Sequence, residues 1–207
     1  DIGFDASGLV SASLELPAWR YQTPAAREGF LCQVTDAVRS LPEIDAATRA
    51  SGVPPEVGVS FGALGIAGRE LAENDRESFF ASQSVEPDYF LTMGIPLLSG
   101  STFEARRSSG GEGVLIVSNS LAQRYWPGGD AVGQRIRIGP QSPWQRIVGV
   151  AADVPGLGLG ELRGAASFKA SLPRLLEYST ERVSASQDLQ LHQIVMLLRR
   201  AVASFRT

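Results

Sequence analysis

The first fifty residues change hydrophobic period twice. From Leu9 to Leu16, Val10, Ala12, Leu14 and Leu16 alternate with Ser11, Ser13 and Glu15, the period of a strand with one buried face, and Pro17 ends it. After a loop holding Trp19 and Tyr21, Thr23 and Pro24 make a helix entry, a cap followed by a proline in the first turn. Phe30, Leu31, Val34, Val38 and Leu41 then fall on one helical face until Pro42. Ile44 to Ala50 returns as a strand, so the pattern predicts a β-α-β unit.

From Ser51 to Ser84 the chain is richer in Gly and Pro, and the alternating runs Phe61 to Ile66 and Phe79 to Val85 predict short strands. Glu86-Pro87-Asp88 opens a short helix that brings Tyr89, Phe90 and Met93 to one side, and Gly94 ends it. Ile95 to Leu98 is extended, Ser99-Gly100 is a turn, and Glu104 to Gly113 reads as a mobile surface loop. Val114 to Val117 is a buried strand. Ser118, Asn119 or Ser120 caps the helix after it, in which Leu121, Ala122 and Tyr125 recur, and Pro127-Gly128-Gly129 stops it. Asp130 and Gly133 turn the chain into a strand from Gln134 to Ile138, with Ile136 and Ile138 on one face and Arg135 and Arg137 on the other. Trp144 to Val150 is the next strand, so this unit reads β-α-β-β. Near the end, Leu191, Ile194, Val195, Leu198 and Val202 form a stripe that predicts a helix over Leu189 to Phe205, with Arg199 and Arg200 opposite.

Composition narrows the classes. Across 207 residues, 43% apolar and 20% charged is ordinary for a folded globular chain, and a net charge of -3 offers no broad basic surface for nucleic acid. The single Cys32 excludes an intramolecular disulfide and reads as a small core residue, and the single His192 removes arrangements that need two imidazoles. No run reaches the length of a membrane helix, and the start at Asp1 without a Met reads as a piece of a longer protein.

Candidate chemistry is sparse. Gly58-Val-Ser60-Phe-Gly62 matches G-x-S-x-G, and Ser60, Asp153 and His192 follow the chain order of an α/β-hydrolase triad; the competing reading is a Gly-rich turn. Gly156-Leu-Gly158-Leu-Gly160 follows a strand but has Glu161 and a preceding Pro155 where a dinucleotide loop would not, so it reads as a flexible loop. The acid pairs Asp1/Asp5, Glu73/Asp75 and Glu86/Asp88 flank turns or helix starts, where the helix dipole favours them. No residue is assigned to catalysis, to a cofactor or to a metal. Tyr125 and Trp126 at a helix end, with Arg135 and Arg137 on an outward strand face, are the candidate partner contacts, against the commoner readings of aromatics there as core plugs and of outward arginines as simply solvated.

Four phrases carry a resemblance: Asn119 to Asp130 (NSLAQRYWPGGD), Val132 to Ile136 (VGQRI), Ile147 to Val154 (IVGVAADV), and upstream Val85 to Phe103 (VEPDYFLTMGIPLLSGSTF). Together with Leu16-Pro17, Tyr21 and Leu41-Pro42-Glu43-Ile44, they resemble the extracytoplasmic domain of MacB-type and FtsX-like ABC transporter permeases. The likeness covers most of residues 1–154, thins after Val154 and partly returns over 180–205. It implies an α+β fold, a porter-like domain of two β-α-β halves with an inserted, mainly β subdomain. The corresponding divisions are 1–52, 53–154 and 155–207, the last half lacking its final strand. It further implies a non-catalytic domain facing the periplasm at the cell inner membrane, which couples ATP-driven movement of membrane helices to extracytoplasmic change. The implied partners are the membrane helices of the same permease, a cytoplasmic ATP-binding domain or subunit, a second permease copy or half and, where one exists, a periplasmic adaptor. The alternatives are a serine hydrolase using Ser60, Asp153 and His192, and a passive ligand-binding module.

Overall fold

The β-α-β unit expected at the start is present: β1 (Leu9–Leu14), α1 (Pro24–Arg39) and β2 (Ile44–Ala50). The computed structural model describes residues 4–14, 16–17, 19–52, 58–70, 77–103, 113–154, 166–170 and 194–200. The Thr23 side chain accepts a hydrogen bond from the Ala26 N–H at 3.2 Å, which satisfies one of the otherwise unpaired donors of the first turn. Leu31 and Thr35 are the fully buried residues of α1, and the Thr35 hydroxyl donates back to the Leu31 carbonyl. Cys32 lies off that face and is exposed, against the expectation of a core residue; its thiol donates to the Glu28 carboxylate at 3.2 Å. The face of β1 expected to be buried is also open, with Val10 41% exposed. The cause is position: α1 packs over β2, and β1 lies at the sheet edge.

The largest departure is at the C-terminus. Ile194–Arg200 is a strand, β10, inserted antiparallel between β1 and β2, and not part of a helix over Leu189 to Phe205. A short apolar run fits a helical stripe and a strand buried on both faces equally well. Met196 and Leu197 are adjacent and both buried, as a strand covered on two sides requires.

The remaining strands are β3 (Gly58–Ile66), β4 (Glu77–Val85), β5 (Leu97–Gly100), β6 (Gly113–Ser118), β7 (Arg135–Ile138), β8 (Gln145–Ala151) and β9 (Ala166–Ala170). The ladder runs β4-β3-β7-β8-β6-β9, and β9 pairs in parallel with β4, so these strands close into a ring with β5 added beside β8. The fold is thus mixed α+β with two sheet sections, the flat β1-β10-β2 and the ring. Their hydrogen-bonded seam is narrow. It is the pair Ala50–Val85, flanked by bonds from the Ser51 N–H to the Ser84 carbonyl and from the Glu86 N–H to the Arg49 carbonyl.

Two short helices complete the ring section. Tyr89–Met93 forms α2, ended by Gly94 at φ 65°, and Asn119–Tyr125 forms α3, whose cap Ser118 accepts from the Leu121 N–H. One core joins Val85, α2, Ile116, Ala151 and Val154 with Ala50 and Leu197 across the seam. The second joins Leu64, Leu115, Ile136 and Ile147 with Leu121, Ala122 and Tyr125 of α3. Strand β6 feeds both, Val114 and Ile116 to one and Leu115 and Val117 to the other, which is why that apolar run is continuous. The loop 104–112, the stretch Gly156–Gly160, Asp1, Glu73, Asp75, residues 171–181 and His192 lie outside the described residues.

Candidate functional site

Ser60 and Asp153 lack the setting of a hydrolase triad, and His192 lies outside the described residues. A nucleophile elbow needs a strand-to-helix turn, but Ser60 sits inside the nine-residue β3 and pairs with Phe80 of β4, so the segment is neither an elbow nor a Gly-rich turn. Asp153 is committed elsewhere. One carboxylate oxygen accepts from the Ser120 N–H at 2.9 Å and the other from the Ser120 hydroxyl at 2.7 Å, which anchors the first turn of α3. No group of three or more His, Cys, Asp or Glu suited to a metal occurs among the described residues. An open depression beside α1 is lined by Arg20, Tyr21, Ala26, Gly29, Phe30 and Gln33.

The four candidate contact residues separate onto two sides of β7. Tyr125 is 2% exposed and fills the second core, so its side chain offers no surface. Trp126 is half-buried edge-on to Tyr125, with ring centroids 6.2 Å apart, and packs against the same core. Ile136 points into that core, so the alternation of β7 turns Arg135 and Arg137 to the opposite face. There the Arg137 guanidinium lies 4.5 Å from the centroid of Trp144, a cation–π arrangement. Gly65 across the ladder leaves room for it, because a Cβ at that position would meet Arg137 side-chain atoms at 3.0 and 3.1 Å. Arg135 is exposed and stands opposite Arg146 on β8. The outer face of the β7–β8 hairpin is therefore a basic, partly aromatic surface.

Sequence reading missed the other concentration of charge, at the seam. Arg49 of β2, with its side chain 12% exposed, donates from Nε to Glu86 at 2.6 Å and from a terminal nitrogen to Glu28 at 2.8 Å. Arg39 binds the Ala47 carbonyl through Nε at 3.0 Å and reaches Asp88 at 2.9 Å. Burial works against ionisation of Glu28, but hydrogen bonding and charge from Arg49 outweigh it and hold the carboxyl below its ordinary range. Burial likewise opposes the charge on Arg49, and its bonds to Glu28 and Glu86 more than offset that, so the guanidinium stays protonated. The little burial that Cys32 has, with the hydrogen bond and negative charge of Glu28, pushes the thiol upward, away from reactivity at neutral pH. Glu86 and Asp88 were legible as acids flanking a helix start; their arginine partners, 37 and 49 residues away, were not.

Comparison with known proteins fits this geometry. The MacB-like periplasmic core domain profile matches residues 8–204. The chain belongs to that family. Similar solved structures include the periplasmic region of MacB from Actinobacillus actinomycetemcomitans, with a TM-score of 0.56 at 10% identity, covering 97% of this chain and 78% of the other. The extracellular domain of the noncanonic ABC-type transporter YknZ from Gram-positive bacteria gives 0.50 at 11% identity, over 83% and 73%. At such identities these likenesses speak for the fold. No curated protein matches the chain. The MacB-like core domain is the periplasmic part of an ABC permease, and no helix among the described residues is long and apolar enough to cross a membrane.

Proposed function

We propose that this MacB-like domain is a non-catalytic lever. ATP turnover in a cytoplasmic ATP-binding domain or subunit moves the membrane helices of the permease, and the domain carries that movement outward, for efflux or for mechanical transmission. The family match over residues 8–204 carries the reading. Two sheet sections joined through a shared core suit it, since packed sheets and helices transmit displacement better than loops do. In this reading, residues 1–52 with the C-terminal strand form the section continuous with the membrane helices, and residues 53–154 together with β9 form the outer one. The domain faces the periplasm at the inner membrane, beside a second permease copy or half, and the β7–β8 face with Arg135, Arg137 and Trp144, together with the exposed edge of Trp126, meets a periplasmic adaptor or the second copy. Neither a cofactor nor nucleic acid enters the mechanism.

The test is deletion in the intact permease. Replacing residues 8–204 by a flexible linker is expected to leave nucleotide binding in place and abolish transport or its mechanical output. Undiminished output from the deleted protein would overturn the proposal.

A further inference from the structure

Beside the seam bonds of Ser51 with Ser84 and of the Gln83 amide with the Gly52 carbonyl, the arginine contacts among the described residues converge on one short segment, Glu86 to Met93. Arg49 of β2 grips Glu86 from the side, and the Glu86 carboxylate also accepts from the Arg49 backbone N–H at 3.3 Å. Arg39 of α1 holds Asp88 at 2.9 Å, with Glu86 at 3.9 Å. From β10, Arg199 donates through Nε to the Thr92 carbonyl at 2.7 Å. The remaining nitrogens of Arg199 bind the Asp5 carboxylate at 2.8 Å, the Asp5 carbonyl at 2.9 Å and the Ser7 carbonyl at 3.1 Å, while the Asp5 N–H donates to the Met93 carbonyl. Three arginines of the flat section thus hold both ends of α2, which packs against β2 and β10 on one side and shares its core with Val85, Ile116, Ala151 and Val154 of the ring section on the other.

Apolar packing alone would not fix the angle between the sections. From the flat section the shared core receives two buried side chains among the described residues, Ala50 and Leu197, with the partly buried Phe4 and Leu9 packed against it. Their contacts are non-directional and tolerate sliding. Guanidinium–carboxylate and guanidinium–carbonyl bonds are directional, and here each draws on several donors of a planar fork. Arg49 and Glu86 are 12% and 14% exposed, so water screens this pair little.

We infer that Arg39, Arg49 and Arg199 form a latch on the Glu86–Met93 segment that sets the angle between the two sheet sections and makes the domain one rigid body. Opening the latch leaves two folded sections hinged at the Ala50–Val85 seam. The inference concerns the chain itself and stands or falls independently of the transport reading.

The experiment uses the full 207-residue chain with Cys32→Ser, so that nitroxides can be placed at Ser11→Cys on β1 and Gln123→Cys on α3, both exposed positions. Pulsed dipolar spectroscopy is expected to give one narrow distance distribution for the parent, and at least a doubling of its width for Arg49→Met and Arg199→Met, with far-UV circular dichroism unchanged. Arg49→Lys, which keeps the charge but loses the planar fork that meets Glu28 and Glu86 from separate nitrogens, gives an intermediate width and covers the case in which Arg49→Met fails to fold. Arg20→Met, outside the latch, serves as the control. A width unchanged in folded Arg49→Lys and Arg199→Met, even with a lowered melting temperature, would overturn the inference.

Discussion

Gly100 is the position at which a single methyl group should do the most damage. Its φ is +75°, and a Cβ built there would sit 2.2 Å from the Val148 carbonyl oxygen and 2.7 Å from the Gly149 Cα, both backbone atoms of the partner strand. Three costs add. An alanine in the left-handed region costs about 1–2 kcal/mol. Pushing β5 off β8 weakens the bond from the Ser101 N–H to the Val148 carbonyl, 3.0 Å long, by about 1 kcal/mol. Residual overpacking against a backbone that cannot retreat adds about 1–3 kcal/mol. Gly100→Ala should therefore lose roughly 3–6 kcal/mol, which for a chain of this size lowers the midpoint of thermal unfolding by about 6–24 °C. Gly29→Ala is the counterpart: it lies inside α1 with nothing within 4 Å of the added methyl, and should gain up to about 1 kcal/mol from helix propensity alone. Melting curves followed by circular dichroism for the two variants should move in opposite directions. A Gly100→Ala protein melting within 2 °C of the parent would refute the close β5–β8 approach from which the magnitude was built.

Other consequences are as specific. Asp153→Ala removes both Ser120 contacts at the start of α3 and should cost about 1–2 kcal/mol in urea unfolding; a loss below 0.3 kcal/mol, on the order of experimental error, would contradict the capping role. Ile136→Ala empties a fully buried site shared with α3 and should cost about 2–5 kcal/mol by the same assay, whereas a near-neutral result would mean that the core re-forms around it. Glu28 has a folded-state pKa below its unfolded value, so its contribution is complete above the ordinary carboxylate range and is lost as pH falls through the depressed value. The stability gap between the parent and Glu28→Gln should accordingly be widest near neutrality and close in acid; a gap independent of pH would show that the Arg49 contact does not depend on the Glu28 charge.

Local chemistry was the legible part. Thr23-Pro24, Ser118 and Gly94 act at short range, and the helices they bound begin and end where side-chain capping and glycine geometry put them. The β-α-β-β unit from Gly113 to Ala151 follows for the same reason, since its alternation and its apolar run report directly on which faces are covered. What the pattern could not report was pairing over distance. Val10 alternates correctly, yet its face is open because α1 lies over β2. The Ile194–Arg200 run has a helical stripe, yet the gap between β1 and β2 makes it a strand. For the candidate contacts, the strand period did separate Ile136 from Arg135 and Arg137, whereas nothing in a helix-end Tyr125-Trp126 pair distinguishes a core plug from a surface patch. The latch was hidden for a further reason: Arg199 and Asp5 are 194 residues apart, and no local rule links them.

Movement of the domain with the ATP cycle is the central claim, and distance measurement in the intact permease tests it most directly. With a spin label at Gln123→Cys and a second at the membrane end of an adjoining helix, the account predicts that the mean distance shifts by several ångströms between the nucleotide-free and ATP-bound states. A distribution identical in both states, in protein that turns over ATP, would contradict it.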